Sequence, residues 1–89
     1  MPRVTFTPNL RRHIDCPELT LPGDTVRAVL QELQRENPRL AHYVLDEQGN
    51  VRKHIMLFHN GQPLQDRREQ SDPIEPHDEL CIMQALSGG

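Results

Sequence analysis

Asp78-Glu79-Leu80-Cys81-Ile82-Met83-Gln84-Ala85-Leu86-Ser87-Gly88-Gly89 closes this 89-residue chain. From Leu80 to Leu86 the alternation of side chains predicts a strand, with Leu80 and Ile82 on one face and Cys81, Met83 and Ala85 on the other. The strand runs straight into two glycines. Glycine loses the most backbone entropy on ordering and has no side chain to pack, so Gly88-Gly89 is a poor way to stabilise a fold. It suits a terminal carboxylate that must enter a narrow channel in another protein. Leu86 to Gly89 would reach about 13 Å beyond the body of the fold at full extension. The same residues also fit a frayed end or an expression remnant.

Working outward from that strand, Val4 and Phe6 alternate with Thr5 and Thr7, which predicts a half-buried first strand within Arg3 to Leu10, interrupted at Pro8 because proline has no amide hydrogen. After a polar turn through Arg11 to His13, Cys16 to Leu21 reads as a second strand, antiparallel to the first, with Leu19 and Leu21 inward. Pro22-Gly23-Asp24-Thr25 breaks it, and either Asp24 or Thr25 can cap the helix that follows. Val26, Val29, Leu30 and Leu33 stand at i, i+3, i+4 and i+7, one apolar stripe of an amphipathic helix that Asn37-Pro38 ends. Leu40 to Leu45 is apolar enough to pack as a short helical turn, and Asp46 to Asn50 is a surface loop. Ile55 to Phe58 predicts a third strand, and Asn60-Gly61 supplies the two positive φ angles of a type I′ hairpin turn. A short returning strand at Pro63 and Leu64 and a polar segment from Gln65 to Asp72 lead to the final strand. The predicted order is β-β-α-β-β-β.

With a formal net charge of −3 and only Tyr43, Phe6 and Phe58 as aromatics, the chain has neither a basic stripe nor a stacking platform, which sets nucleic acid aside. Arg11-Arg12, Arg52-Lys53 and Arg67-Arg68 are pairs separated by acidic residues. No run approaches the roughly 20 apolar residues of a membrane helix, and the N-terminus lacks the apolar core of a signal peptide. A cytoplasmic setting is therefore expected, with Cys16 and Cys81 as reduced thiols.

The ordered set Leu21-Pro22-Gly23-Asp24-Thr25-Val26, Asn60-Gly61, Asp78-Glu79-Leu80 and Leu86-Ser87-Gly88-Gly89 resembles the MoaD/ThiS family of ubiquitin-like sulfur carriers, including its CysO-like members. The resemblance implies an α+β, β-grasp (ubiquitin-like) fold: a mixed sheet with the first and last strands parallel at its centre and the helix across one face. Residues 1–86 would form the domain and 87–89 a flexible tail. Leu80 and Ile82 would then meet Val4, Phe6, Leu19, Leu21, Ile55 and Leu57 beneath Val26, Val29, Leu30 and Leu33.

The resemblance further implies a reaction performed on this chain by others. An E1-like activating enzyme would spend ATP to adenylate Gly89, a persulfide protein or sulfide would supply sulfur, and the resulting thiocarboxylate would serve an acceptor biosynthetic enzyme. The chain itself would be no catalyst and bind no cofactor. Gly88, Ser87 and Leu86 would enter the partner. Periodicity and the implied antiparallel pairing place Met56, Phe58, Cys81 and Met83 together on the helix-free face as an apolar docking patch, unless the loop Gln65 to Pro76, or crystal or homodimer packing, covers them. Small-subunit duty in molybdopterin synthase, a ubiquitin-like modifier joined to lysines through Gly89, and a binding module with incidental glycines are the alternatives.

Other motifs fit simpler roles. His13-x2-Cys16 and His77-x3-Cys81 lack zinc-finger spacing. Asp78-Glu79 and Asp46-Glu47 read as solvated turn charges, His54 and His59 as surface residues, and Asp66-Arg67-Arg68-Glu69 as a solvated loop whose charges would discriminate between partners.

Overall fold

The computed structural model describes residues 1–7 and 18–84. Its strands are β1 (Arg3–Phe6), β2 (Leu19–Thr20), β3 (Ile55–His59), β4 (Gln62–Pro63) and β5 (Glu79–Gln84), and its helices are α1 (Val26–Glu36) and α2 (Pro38–Val44). The strands form one mixed sheet in the order β2-β1-β5-β3-β4. At its centre β1 and β5 run parallel, with Val4 opposite Leu80 and Phe6 opposite Ile82. β5 is antiparallel to β3 on its other side. This is the β-grasp arrangement. Among the described residues no helix is long and apolar enough to cross a membrane. The predicted Pro8 interruption and the Cys16 end of the second strand lie outside the described residues.

The inward rows of the sheet and the stripe of α1 make the core. Val4, Val26, Val29, Leu33, Ile55, Leu80 and Ile82 are wholly buried, and Phe6, Leu21, Leu30 and Leu57 nearly so. Leu19, expected in that set, is only half-buried: β2 is a two-residue edge strand, so one flank of Leu19 has no neighbouring strand. Leu40, Ala41 and Val44 of α2, Leu45 just after it and Ile74 of the long loop complete the core. The helical turn predicted at Leu40 to Leu45 is two turns of helix that begin earlier, at Pro38. Proline costs nothing there because the first-turn amide it lacks has no helical acceptor.

Caps join these elements economically. Thr25, rather than Asp24, caps α1, its Oγ1 accepting from the Ala28 amide at 3.1 Å. The two preceding first-turn amides are satisfied by the long loop, Val26 N donating to Asp72 O at 2.9 Å and Arg27 N to Gln70 O at 2.8 Å. Helix amides that lack an internal acceptor thus become anchors for a segment with little apolar content. Asn37 closes α1 and opens α2, its Oδ1 accepting from Leu40 N at 3.2 Å.

The polar loop is therefore built, not merely solvated. Asp72 accepts from the amides of Gln65 and Asp66 at 2.8 Å each, and Asp66 accepts from Glu69 N at 3.0 Å and from the Ser71 hydroxyl. The Ser71 hydroxyl and the Glu69 amide hold the Asp66 carboxyl below the usual carboxylate range. Gln70, at a positive φ of 55°, is buried. Asp46 likewise organises its turn, accepting from the amides of Gln48 and Asn50 at 2.9 Å, with Asn50 the main cause of its lowered pKa.

At the start of β5 a second correction concerns His59 and Asp78. Both are half-buried, and His59 Nε2 lies 2.7 Å from Asp78 Oδ2, which also accepts from Glu75 N at 2.8 Å. The hairpin turn joins in: Asn60 and Gly61 hold the expected positive φ angles, 50° and 82°, and Glu79 N donates to Asn60 Oδ1 at 2.8 Å. The Asn60 side chain, the Glu75 amide and His59 together hold the Asp78 pKa down to about 2, from an ordinary 3.8. The ionised carboxylate is the form the fold prefers.

Two predictions follow from this packing. Gly23 has φ +151°, and a Cβ there would lie 2.8 Å from both Val29 N and Val29 Cγ2, whereas Gly49 at φ +84° faces open space. Gly23→Ala should lower the unfolding free energy by roughly 2–4 kcal/mol and Gly49→Ala by about 1 kcal/mol; equal losses in urea denaturation would contradict the close approach. Because its folded pKa is depressed, Asp78 stabilises the fold fully above its unfolded pKa, and that contribution disappears as pH falls from about 3.8 through about 2. Urea midpoints of Asp78→Asn should therefore fall less steeply than wild type across that window, and parallel curves would contradict the latch.

Candidate functional site

The pairing of β3 with β5 sets Met56 opposite Met83 and Phe58 opposite Cys81. Directly opposed residues in an antiparallel pair point to the same side, and residues two apart along a strand share that side. All four predicted patch residues therefore lie on one face of the sheet. Their neighbours Leu57, Leu80 and Ile82 point the other way and are buried against the helices. Met56 is 41% exposed, while Phe58, Cys81 and Met83 are half-buried and Cys81 carries a free thiol.

The long loop does not go to this face. It is tied to the start of α1 by the Gln70 and Asp72 carbonyls, by the Ile74 amide donating to Asp24 O at 3.0 Å, and by the Thr25–Pro73 bridge. On the β1 side of the apolar residues the boundary is polar. Thr5 lies opposite Cys81 on the β1 side, and its Oγ1 donates to Glu79 Oε2 at 3.0 Å. Arg3 Nη2 stands 3.5 Å from the same oxygen. On the β4 side Pro63 is opposite Phe58. The arrangement is an apolar strip edged by polar groups on the β1 side and suited to burial against a partner.

At the far end of the strip β5 reaches Gln84, which lies opposite Ile55. Tyr43 Oη and Gln84 Oε1 are 3.4 Å apart, and the Tyr43 ring meets that of His54 edge to face, with centroids 6.4 Å apart. Leu86, Ser87, Gly88 and Gly89, the predicted working end, lie outside the described residues, as do His13 and Cys16. Among the described residues His77 and Cys81 belong to no group of three metal-ligating side chains.

Sequence reasoning missed the His59–Asp78 latch and the burial of Gln70 and Ile74. Ile74 could have been found, since it is the only aliphatic residue between Gln65 and Asp78. Gln70 gave no signal: its burial follows from its carbonyl capping a helix, which side-chain polarity does not report.

Comparison with solved structures shows the same fold in other small proteins. The chain superposes on the structure of an Amycolatopsis orientalis BexX/CysO complex with a TM-score of 0.79, 18% identity and full coverage of both chains. Small archaeal modifier protein 1 from Methanosarcina acetivorans gives 0.76 at 28% identity, over 98% of this chain and 94% of that one. Mycobacterium tuberculosis CysO gives 0.77 at 19% identity, over 97% and 100%. No curated protein matches in sequence. Residues 11–89 match the ThiS family, from beyond the first strand through the final glycine. The chain thus belongs to the ThiS family, the ubiquitin-like sulfur carriers of the MoaD/ThiS type.

Proposed function

We propose that this chain is a sulfur carrier whose Gly89 carboxylate is the working group, presented on the tail 87–89 by the domain formed by residues 1–86. The observation that carries this is the Met56–Met83 and Phe58–Cys81 strip, half of which stands on β5, the strand that precedes the sequence Leu86-Ser87-Gly88-Gly89. An apolar face of that kind is a docking surface for a protein that handles the chain end, and its methionines adapt to more than one partner.

The chemistry belongs to the partners. In an E1-like enzyme a Gly89 carboxylate oxygen attacks the α-phosphorus of ATP, releasing pyrophosphate and leaving an acyl adenylate. Sulfide displaces AMP directly, or a persulfide displaces it and a thiol then cleaves the acyl disulfide. Either route leaves a thiocarboxylate, whose ionised sulfur is the nucleophile passed to an acceptor biosynthetic enzyme. The carrier contributes reach, slenderness and docking, and binds no cofactor of its own. A modifier role, with Gly89 joined to lysines, draws support from the 28% identity to small archaeal modifier protein 1; isopeptide remnants on host lysines would identify it.

Pyrophosphate exchange by the host's activating enzyme, with this chain as acceptor, tests the proposal. Phe58→Asp and Met83→Asp, each folded by circular dichroism, should lose roughly 30-fold or more in kcat/KM, the loss expected when an interface anchor is replaced by a charge. An added residue after Gly89 should abolish exchange. Full activity of both strip variants would remove the docking surface, and full activity of the extended chain would remove the role of Gly89.

A further inference from the structure

Arg52, Lys53, Arg67 and Arg68 are four of the chain's ten Lys and Arg residues, and they stand in two separate runs. The fold brings the runs together. Arg67 Nη2 donates to the Arg52 carbonyl at 2.8 Å, and Arg67 and Arg68 line a shallow recess with Asn50 and Val51. Arg52 Nε donates in turn to the His42 carbonyl at 2.8 Å. Main-chain carbonyls are neutral acceptors, so they aim the two guanidinium groups without cancelling their charge.

Lys53, Arg67 and Arg68 are exposed, and among the described residues none of the four cations lies within ion-pair distance of a carboxylate. Asp46 is near enough to feel Arg52, but its Oδ1 is occupied by the Gln48 and Asn50 amides; Asp66 serves Glu69 and Ser71. On a chain of net charge −3 this is a local positive rim.

Its position gives it a use. Ile55 N donates to Arg52 O at 3.0 Å, and Ile55 lies opposite Gln84, the last described residue of β5. The rim therefore adjoins the point from which residues 85–89 depart, at the tail end of the apolar strip.

We propose that this rim engages Asp and Glu side chains around the mouth of the channel in which the activating enzyme receives the C-terminus. The proposal rests on the carrier function above. Carboxylates fit because a guanidinium offers a planar fork of donors that matches them, and because the carbonyls of His42 and Arg52 already aim Arg52 and Arg67. Apolar contacts at Met56, Phe58, Cys81 and Met83 supply the buried area. The exposed charges act mainly on encounter and alignment, bringing the tail to the channel in the correct register.

The test is steady-state pyrophosphate exchange by the purified host activating enzyme, with the concentrations of carrier and ATP varied separately. Arg67→Glu/Arg68→Glu should raise the KM for the carrier on the order of ten-fold while kcat stays within about two-fold, and Arg67→Gln/Arg68→Gln should fall between it and wild type. Wild-type KM should rise as salt increases from about 50 to about 300 mM, and the charge-reversed variant should lose that dependence. An unchanged carrier KM in a variant that is folded by circular dichroism would overturn the rim while leaving the carrier function intact. A change in the KM for ATP alone would also overturn it, by assigning the rim to nucleotide phosphates. No exchange with wild type would remove the carrier function and the rim together.

Discussion

Between Val4 and Leu80, and again between Phe6 and Ile82, the two ends of the chain lie side by side as parallel strands at the centre of the sheet. Parallel neighbours must be joined by a crossover, and here nearly the whole remaining chain serves as one. The helices cover one face of the central pair. The other face stays uncovered among the described residues, and β3, antiparallel to β5, contributes Met56 and Phe58 to it. One pairing thus fixes both what is buried and what is presented.

The same constraint sets where the proposed chemistry would occur. β5 is held by β1 as far as Ile82 and by β3 as far as Gln84, so the last described residue of the strand is fixed in place. A rigid root with a slender end suits a group that must be delivered into another protein's active site, because ordering cost is confined to a few residues. Polar groups gather at both ends of β5: the His59, Asn60 and Asp78 latch where it begins, and Tyr43, His54 and the Arg52 turn where it ends. The latch ties the β3–β4 hairpin to the central strand, so the outward strip keeps its register.

Periodicity made much of this legible. Period two placed Leu80 and Ile82 inward and Cys81 and Met83 outward, and the stripe of Val26, Val29, Leu30 and Leu33 named the helix face correctly. Asn60-Gly61 marked the hairpin because its backbone angles are rare outside glycine and asparagine. What escaped were interactions that depend on distant main-chain groups. Gln70 and Asp72 reach the start of α1 through their carbonyls, and Asp78 finds a histidine that a strand and a turn bring to it. The meeting of Arg52-Lys53 with Arg67-Arg68 was invisible for the same reason: the pairs alternate with acids in sequence and converge only through the loop's path.

In the proposed function the chain's own terminal carboxyl is the group on which partners act. Intact-mass spectrometry of the untagged protein from its native host tests it most directly. Replacement of one Gly89 oxygen by sulfur adds about 16 Da, a shift to be localised to the C-terminal peptide by fragmentation and so separated from oxidation of methionine or cysteine. A C-terminal fraction carrying that mass, lost on treatment with a thiol-alkylating reagent in favour of the alkylated adduct, is the predicted result. A Gly89 carboxyl found unmodified throughout, with neither thiocarboxylate nor lysine conjugate under sulfur-replete growth, would contradict it.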